Sequence, residues 1–115
     1  MVLLMDNAKI VLRLKKTIIY VDKILDNFPK KELVLKQRIS NSLYECLEYS
    51  YDVYYSNDIN IIRTILTKLK MIDFYLKISF DKNIISRKNI SNLGIHLRDI
   101  TNMYYGWLKN YEKSK

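Results

Sequence analysis

Apolar residues recur at helical spacing along almost the whole chain. Val11, Leu14, Ile18, Val21, Leu25 and Phe28 alternate steps of three and four, which makes one continuous seam on an amphipathic helix. Pro29 predicts the end of that helix, because proline cannot donate the backbone bond and disfavours helix in the residue before it. A second seam follows in Leu35, Ile39, Leu43, Cys46, Leu47, Ser50 and Val53 or Tyr54. Ser56-Asn57-Asp58 interrupts it and offers side-chain oxygens to cap a third helix, whose seam is Ile62, Ile65, Leu66, Leu69, Ile72, Leu76 and Phe80. Asp81-Lys82-Asn83 reads as the next turn and Ser86 as the N-cap of a fourth helix, with Ile90, Leu93, Leu97, Ile100, Tyr104, Leu108 and Tyr111 on its apolar face. The pattern predicts helices over residues 8–28, 31–55, 58–81 and 86–112.

Helices of roughly 22 to 26 residues joined by a few residues favour antiparallel neighbours. The expected fold is therefore all-α, an antiparallel up-down-up-down four-helix bundle about 35 Å long, in a single domain over residues 1–115. The two glycines and one proline are too little punctuation for an all-β chain. The lone Cys46 excludes an internal disulfide and fits a reducing compartment. Met1–Met5 is too short for the apolar core of a signal peptide, and no apolar run approaches the roughly 20 residues of a membrane span. The expectation is a cytoplasmic protein with no membrane partner.

Candidate chemistry is sparse. One histidine and one cysteine do not supply a metal site with the usual ligand spacing, and no glycine-rich phosphate loop is present. Cys46 lies on an apolar face, and His96 stands beside a seam with no catalytic partner near it in sequence. No catalytic residue, metal, cofactor or small-molecule substrate is expected.

Charge and tyrosine content add what a generic bundle does not require. The chain carries a net charge of +8, which attracts polyanions or serves solubility. Lys30, Lys31, Lys36 and Arg38 open the second helix while Glu45, Glu48 and Asp52 close it, the reverse of what the helix dipole prefers. An antiparallel bundle sets that basic start against Lys77, Lys82, Arg87 and Lys88. These eight residues are the candidate nucleic-acid contact at one bundle end, diluted by Asp22, Asp26, Glu32 and Asp81. Of the ten tyrosines, Tyr44, Tyr49, Tyr51, Tyr54 and Tyr55 crowd one helix, and they cannot all face one seam. Subunit contact, base stacking and codon bias each account for such a surplus. Tyr44, Tyr51, Tyr54 and Tyr55 are taken as a candidate oligomer interface.

Several landmarks stand in a particular order. They are Phe28-Pro29-Lys30, Gln37-Arg38-Ile39, Leu69 to Lys77, Ile85-Ser86, Asp99-Ile100, Met103 and Gly106-Trp107-Leu108-Lys109. Over about residues 11 to 110 the chain resembles the bacterial four-helix-bundle family that includes the accessory variability determinant of diversity-generating retroelements. The ribosomal-RNA intervening-sequence four-helix proteins are its relatives. The resemblance implies a ring-like homopentamer without an active site, which binds reverse transcriptase and template RNA and supports error-prone cDNA synthesis; the basic end, by its charge, offers a contact to RNA and to DNA. It also implies a basic contact on the third helix, where Lys77 stands; Asp73, one turn earlier, departs from it. The alternative is a stand-alone protein of the intervening-sequence type, an RNA binder or a purely structural oligomerisation module. Gly106 is expected to permit close helix approach, and Trp107 to fill the bundle end.

Overall fold

The computed structural model describes the backbone of residues 2–56 and 58–113, with side chains for residues 8–53, 55, 56 and 58–112. Four helices make up the fold: α1 (Val2–Leu25), α2 (Leu33–Ser56), α3 (Ile59–Asp81) and α4 (Arg87–Lys113), with a 3-10 turn at Lys30–Glu32. Among the described residues there is no strand. Each helix packs on the two neighbours that precede and follow it around a square, and among the described residues the backbones of the diagonal pairs stay apart. Cross-helix pairs give the directions. Asp22 meets Tyr44, Glu45 meets Lys68, Arg63 meets Glu112 and Arg13 meets Asp99, so successive helices run antiparallel. The bundle measures 47 × 23 × 19 Å, longer than expected because α1 begins at Val2 and α4 spans 27 residues.

Local sequence explains where each helix stops. α1 ends at Leu25, three residues before its apolar seam does. Asn27 and Phe28 donate instead to Ile24 and Leu25, three residues back, so the chain tightens just before Pro29. Phe28 stays buried through this turn and closes the core. α3 starts where Asp58 accepts a bond from the Asn60 N–H at 3.0 Å. It ends in a Schellman motif: Asn83 takes a left-handed φ of 63°, its N–H donates to Phe80 and the Ile84 N–H donates to Ser79. Ser86 then caps α4 by accepting from the Asn89 N–H at 3.1 Å.

The core is the set of seams turned inward. Leu14, Val21, Ile39, Leu43, Cys46, Ile62, Ile65, Ile72, Leu93, Ile100 and Tyr104 are essentially inaccessible. Each such side chain contributes about 1.5–3 kcal/mol by leaving water. Trp107 is buried against Tyr104, with ring centroids 6.0 Å apart, and fills the end of the bundle. Gly106 does not do what the sequence led us to expect. It faces outward, and a Cβ built there meets nothing within 4 Å among the described residues.

Candidate nucleic-acid interface

The α1–α2 turn, the end of α3 and the start of α4 share one end of the bundle. The 3-10 turn places Lys30 and Lys31 ahead of α2 rather than inside it, which relieves part of their conflict with the helix dipole. Lys30, Lys31, Lys82, Arg87 and Lys88 are exposed on this cap. Lys31 and Lys82 rim an open depression of about 510 Å3 whose other walls are Asn27, Pro29, Glu32, Asn83 and Ile84.

The eight basic residues are not electrostatically equal. Lys82 donates to both oxygens of Glu32 at 3.2 and 3.3 Å. Lys77 pairs with Asp73 at 2.8 Å, and that hydrogen bond and charge hold its ammonium above the usual lysine range. Arg87 lies over the Phe80 ring, 5.9 Å from its centroid. Lys30, Lys31 and Lys88 have no carboxylate partner among the described residues. Lys36 is half-buried. Arg38 turns away from the cap into an α2–α3 depression of about 480 Å3 shared with Val34, Met71 and Tyr75. The structure therefore brings five of the eight to the cap and leaves Lys36, Arg38 and Lys77 on the sides.

The tyrosines of α2 separate by face. Tyr49 is half-buried on the α3 side, with Lys68 over its ring. Tyr44, Tyr51 and Tyr55 follow each other at steps of seven and four and form an exposed stripe; Tyr55 is 88% exposed. The Tyr44 hydroxyl donates to Asp22 at 2.9 Å, and this bond raises its pKa. The Lys15 ammonium lies over the Tyr51 ring. The side chain of Tyr54 lies outside the described residues.

One surface escaped the sequence reading. Lys9, Lys16 and Lys23 stand seven residues apart on the outer face of α1, with Leu12 and Ile19 between them, respectively 58% and 60% exposed. The signal lay in a second heptad spacing, offset from the buried seam.

Among the described residues there is no group of three or more His, Cys, Asp or Glu side chains that could hold a metal ion. His96 packs its ring 5.2 Å from that of Tyr20, and its buried Nδ1 has no hydrogen-bond partner there. Cys46 is buried, and loss of solvation pushes its thiol up to about 12. No described helix is long and apolar enough to cross a membrane.

Fold and surface define the class: a four-helix bundle with a cationic cap and an exposed tyrosine stripe. No protein-family model matches the chain, and no curated protein matches it.

Proposed function

We propose that this chain is a non-catalytic accessory subunit of a bacterial diversity-generating retroelement, acting in the cytoplasm, that holds reverse transcriptase and template RNA together during mutagenic cDNA synthesis. The observation that carries the reading is the cap, where Lys30, Lys31 and Lys88 stand exposed without carboxylate partners among the described residues and Arg87 adds a fourth cation. Such a surface attracts phosphates without regard to sequence and in a salt-sensitive way. The landmarks from Phe28-Pro29-Lys30 to Gly106-Trp107 supply the family, and with it the reverse transcriptase as protein partner and a ring-like homopentamer as the assembled form. Exposed apolar side chains are available for protein contact. Val34 and Met71 share the depression beside Arg38, and Phe74 lies one turn along α3.

A mobility-shift assay with structured RNA at low salt, joined to capture of the cognate reverse transcriptase, tests this reading. Binding of both supports it, and failure of both ends it. RNA binding without polymerase capture favours the second reading, a stand-alone RNA-binding bundle of the intervening-sequence type, because the cap by itself requires no polymerase.

A further inference from the structure

Two outward strips on adjacent helices differ in charge. Along α1 the outward residues are Lys9, Leu12, Lys16, Ile19 and Lys23, which are cationic and apolar with no acid among them. Along α2 the outward stripe is Tyr44, Glu48, Tyr51, Asp52 and Tyr55, aromatic and acidic with no base. Glu48, Asp52 and the three lysines are exposed, and none has an ion-pair partner among the described residues. One strip thus presents aliphatic side chains between lysines, and the other presents phenol rings between carboxylates.

The internal contacts fix how the two strips are levelled. Tyr44 bonds Asp22 and Lys15 lies over Tyr51, so residues of α1 and α2 whose numbers sum to 66 stand at the same height. At that register Lys16 stands level with the gap between Glu48 and Asp52. Leu12 is level with the gap between Tyr51 and Tyr55, and Ile19 with the gap between Tyr44 and Tyr51. Within one molecule the strips lie on the outer sides of adjacent helices, and Tyr44 and Tyr51 at the edge of the α2 strip touch Asp22 and Lys15 of α1. Between two copies set side by side, with no shift along the axis, the strips meet in this register.

We propose that the α1 strip of one copy packs on the α2 strip of the next, so that Lys16 inserts between the partner's Glu48 and Asp52 while Leu12 and Ile19 fit between the partner's tyrosines. This rests on the homo-oligomeric ring of the proposed function and names its contact. The two surfaces differ, so the contact is heterologous, and a heterologous contact closes a ring when its rotation divides a full turn. Adjacent corners of a square bundle face about a quarter-turn apart, close to the interior angle of a four- or five-membered ring. The pairing buries tyrosine and aliphatic surface at its centre and leaves charge at its edge, the usual anatomy of a protein interface. A single-stranded nucleic acid is a poorer occupant, since Glu48 and Asp52 repel phosphates along the very stripe that offers stacking rings. The remaining cap stays clear of the contact and free for RNA.

Light scattering on a sizing column, at several concentrations of the full chain, reads the assembly. The wild-type chain is expected to elute as a closed oligomer of four or five copies. Ile19→Asp should yield monomers with unchanged helical circular dichroism, and Lys16→Glu should raise the dissociation constant at least tenfold. Glu48→Lys with Asp52→Lys should do the same, and joining those two changes to Lys16→Glu in one chain should restore the oligomer. Wild-type oligomers indifferent to all four changes would overturn this contact and leave the ring standing. A wild-type monomer at every concentration would overturn both. Loss of RNA binding by Lys16→Glu with no change in mass would assign the strip to nucleic acid and reject the contact.

Discussion

The hydroxyls of Ser50 and Tyr104 meet at 2.5 Å in the core and join α2 to α4, two helices that lie diagonally and whose backbones stay apart among the described residues. Ser50 already directs its single proton to the carbonyl of Cys46 at 2.7 Å, so Tyr104 is the donor of the pair. The bond gives the Tyr104 phenol an acceptor inside the core, beside Trp107. Tyr104→Phe keeps the ring packing and removes the bond. It should cost about 1 kcal/mol in urea unfolding. Ser50→Val also deletes the oxygen that receives Tyr104, and is expected to cost more. Equal stability of the phenylalanine variant and the parent would show that the bond adds nothing.

Cys46 lies four residues from Ser50 on the same buried face. Desolvation is the main cause of its raised pKa, about 12; Lys68 opposes the shift and Glu45 reinforces it. Only the thiolate attacks disulfide reagents, so native protein at pH 8 should label at the rate of transient unfolding, and 6 M urea should make labelling immediate. The sign of the linkage follows from the direction of the shift. Below the ordinary thiol pKa both states are neutral and the group has no pH effect. Above it the unfolded thiol ionises first, so stability falls between about pH 9 and 12 by up to a few kcal/mol. The extra alkaline loss should vanish in Cys46→Ala, which is the comparison to measure.

The chain reversal between α3 and α4 depends on Asn83, whose φ of 63° is unfavourable for most side chains. Asn83→Ala is expected to lose about 1 kcal/mol by chemical denaturation, and Asn83→Gly to hold or gain. Gly106→Ala tests the outward-facing glycine at the other end. A methyl there meets nothing among the described residues and should stabilise the isolated bundle by about 0.5–1 kcal/mol through helix propensity. If that variant instead loses oligomer mass, the glycine admits a neighbouring copy.

Helix content and the inward faces were legible because a repeat of three and four leaves few alternatives when turns are marked by Pro29, Asp58 and Ser86. Helix ends were less so. The seam through Leu25 and Phe28 continues to point inward across a 3-10 turn, so apolar spacing alone places the end of α1 too late. Gly106 misled for a different reason, since a glycine in sequence does not reveal which way it faces. The cap was legible as a cluster, but its internal pairing was not. That Lys82 reaches Glu32 from a position 50 residues away, and that Lys77 spends its charge on Asp73, are facts of three-dimensional placement. The lysine strip of α1 was not legible because exposed positions carry no packing constraint to mark them in the sequence.

The paired cations, Lys82 on the cap and Lys77 on the side of α3, give the sharpest test of the nucleic-acid reading. Glu32 is largely shielded, with 15% of its side chain exposed, and it holds Lys82; Asp73 holds Lys77 at the surface. Glu32→Gln and Asp73→Asn each remove a negative charge and release a lysine while preserving side-chain shape. If RNA binds the cap, Glu32→Gln should bind more tightly than the parent at moderate salt, and Asp73→Asn should do so where the RNA extends along α3. The dependence of log affinity on log salt should steepen by about 0.7 for every lysine newly engaged on a single strand. Removing the lysines themselves, as Lys77→Met and Lys82→Met, should matter less than Lys30→Met, Lys31→Met or Lys88→Met, whose cations are already free. The order follows from the pairing: a lysine committed to a carboxylate must first lose that partner before it serves a phosphate. Titrations that rank the paired lysines above the free ones would place the RNA on the α3 side of the bundle instead of its cap.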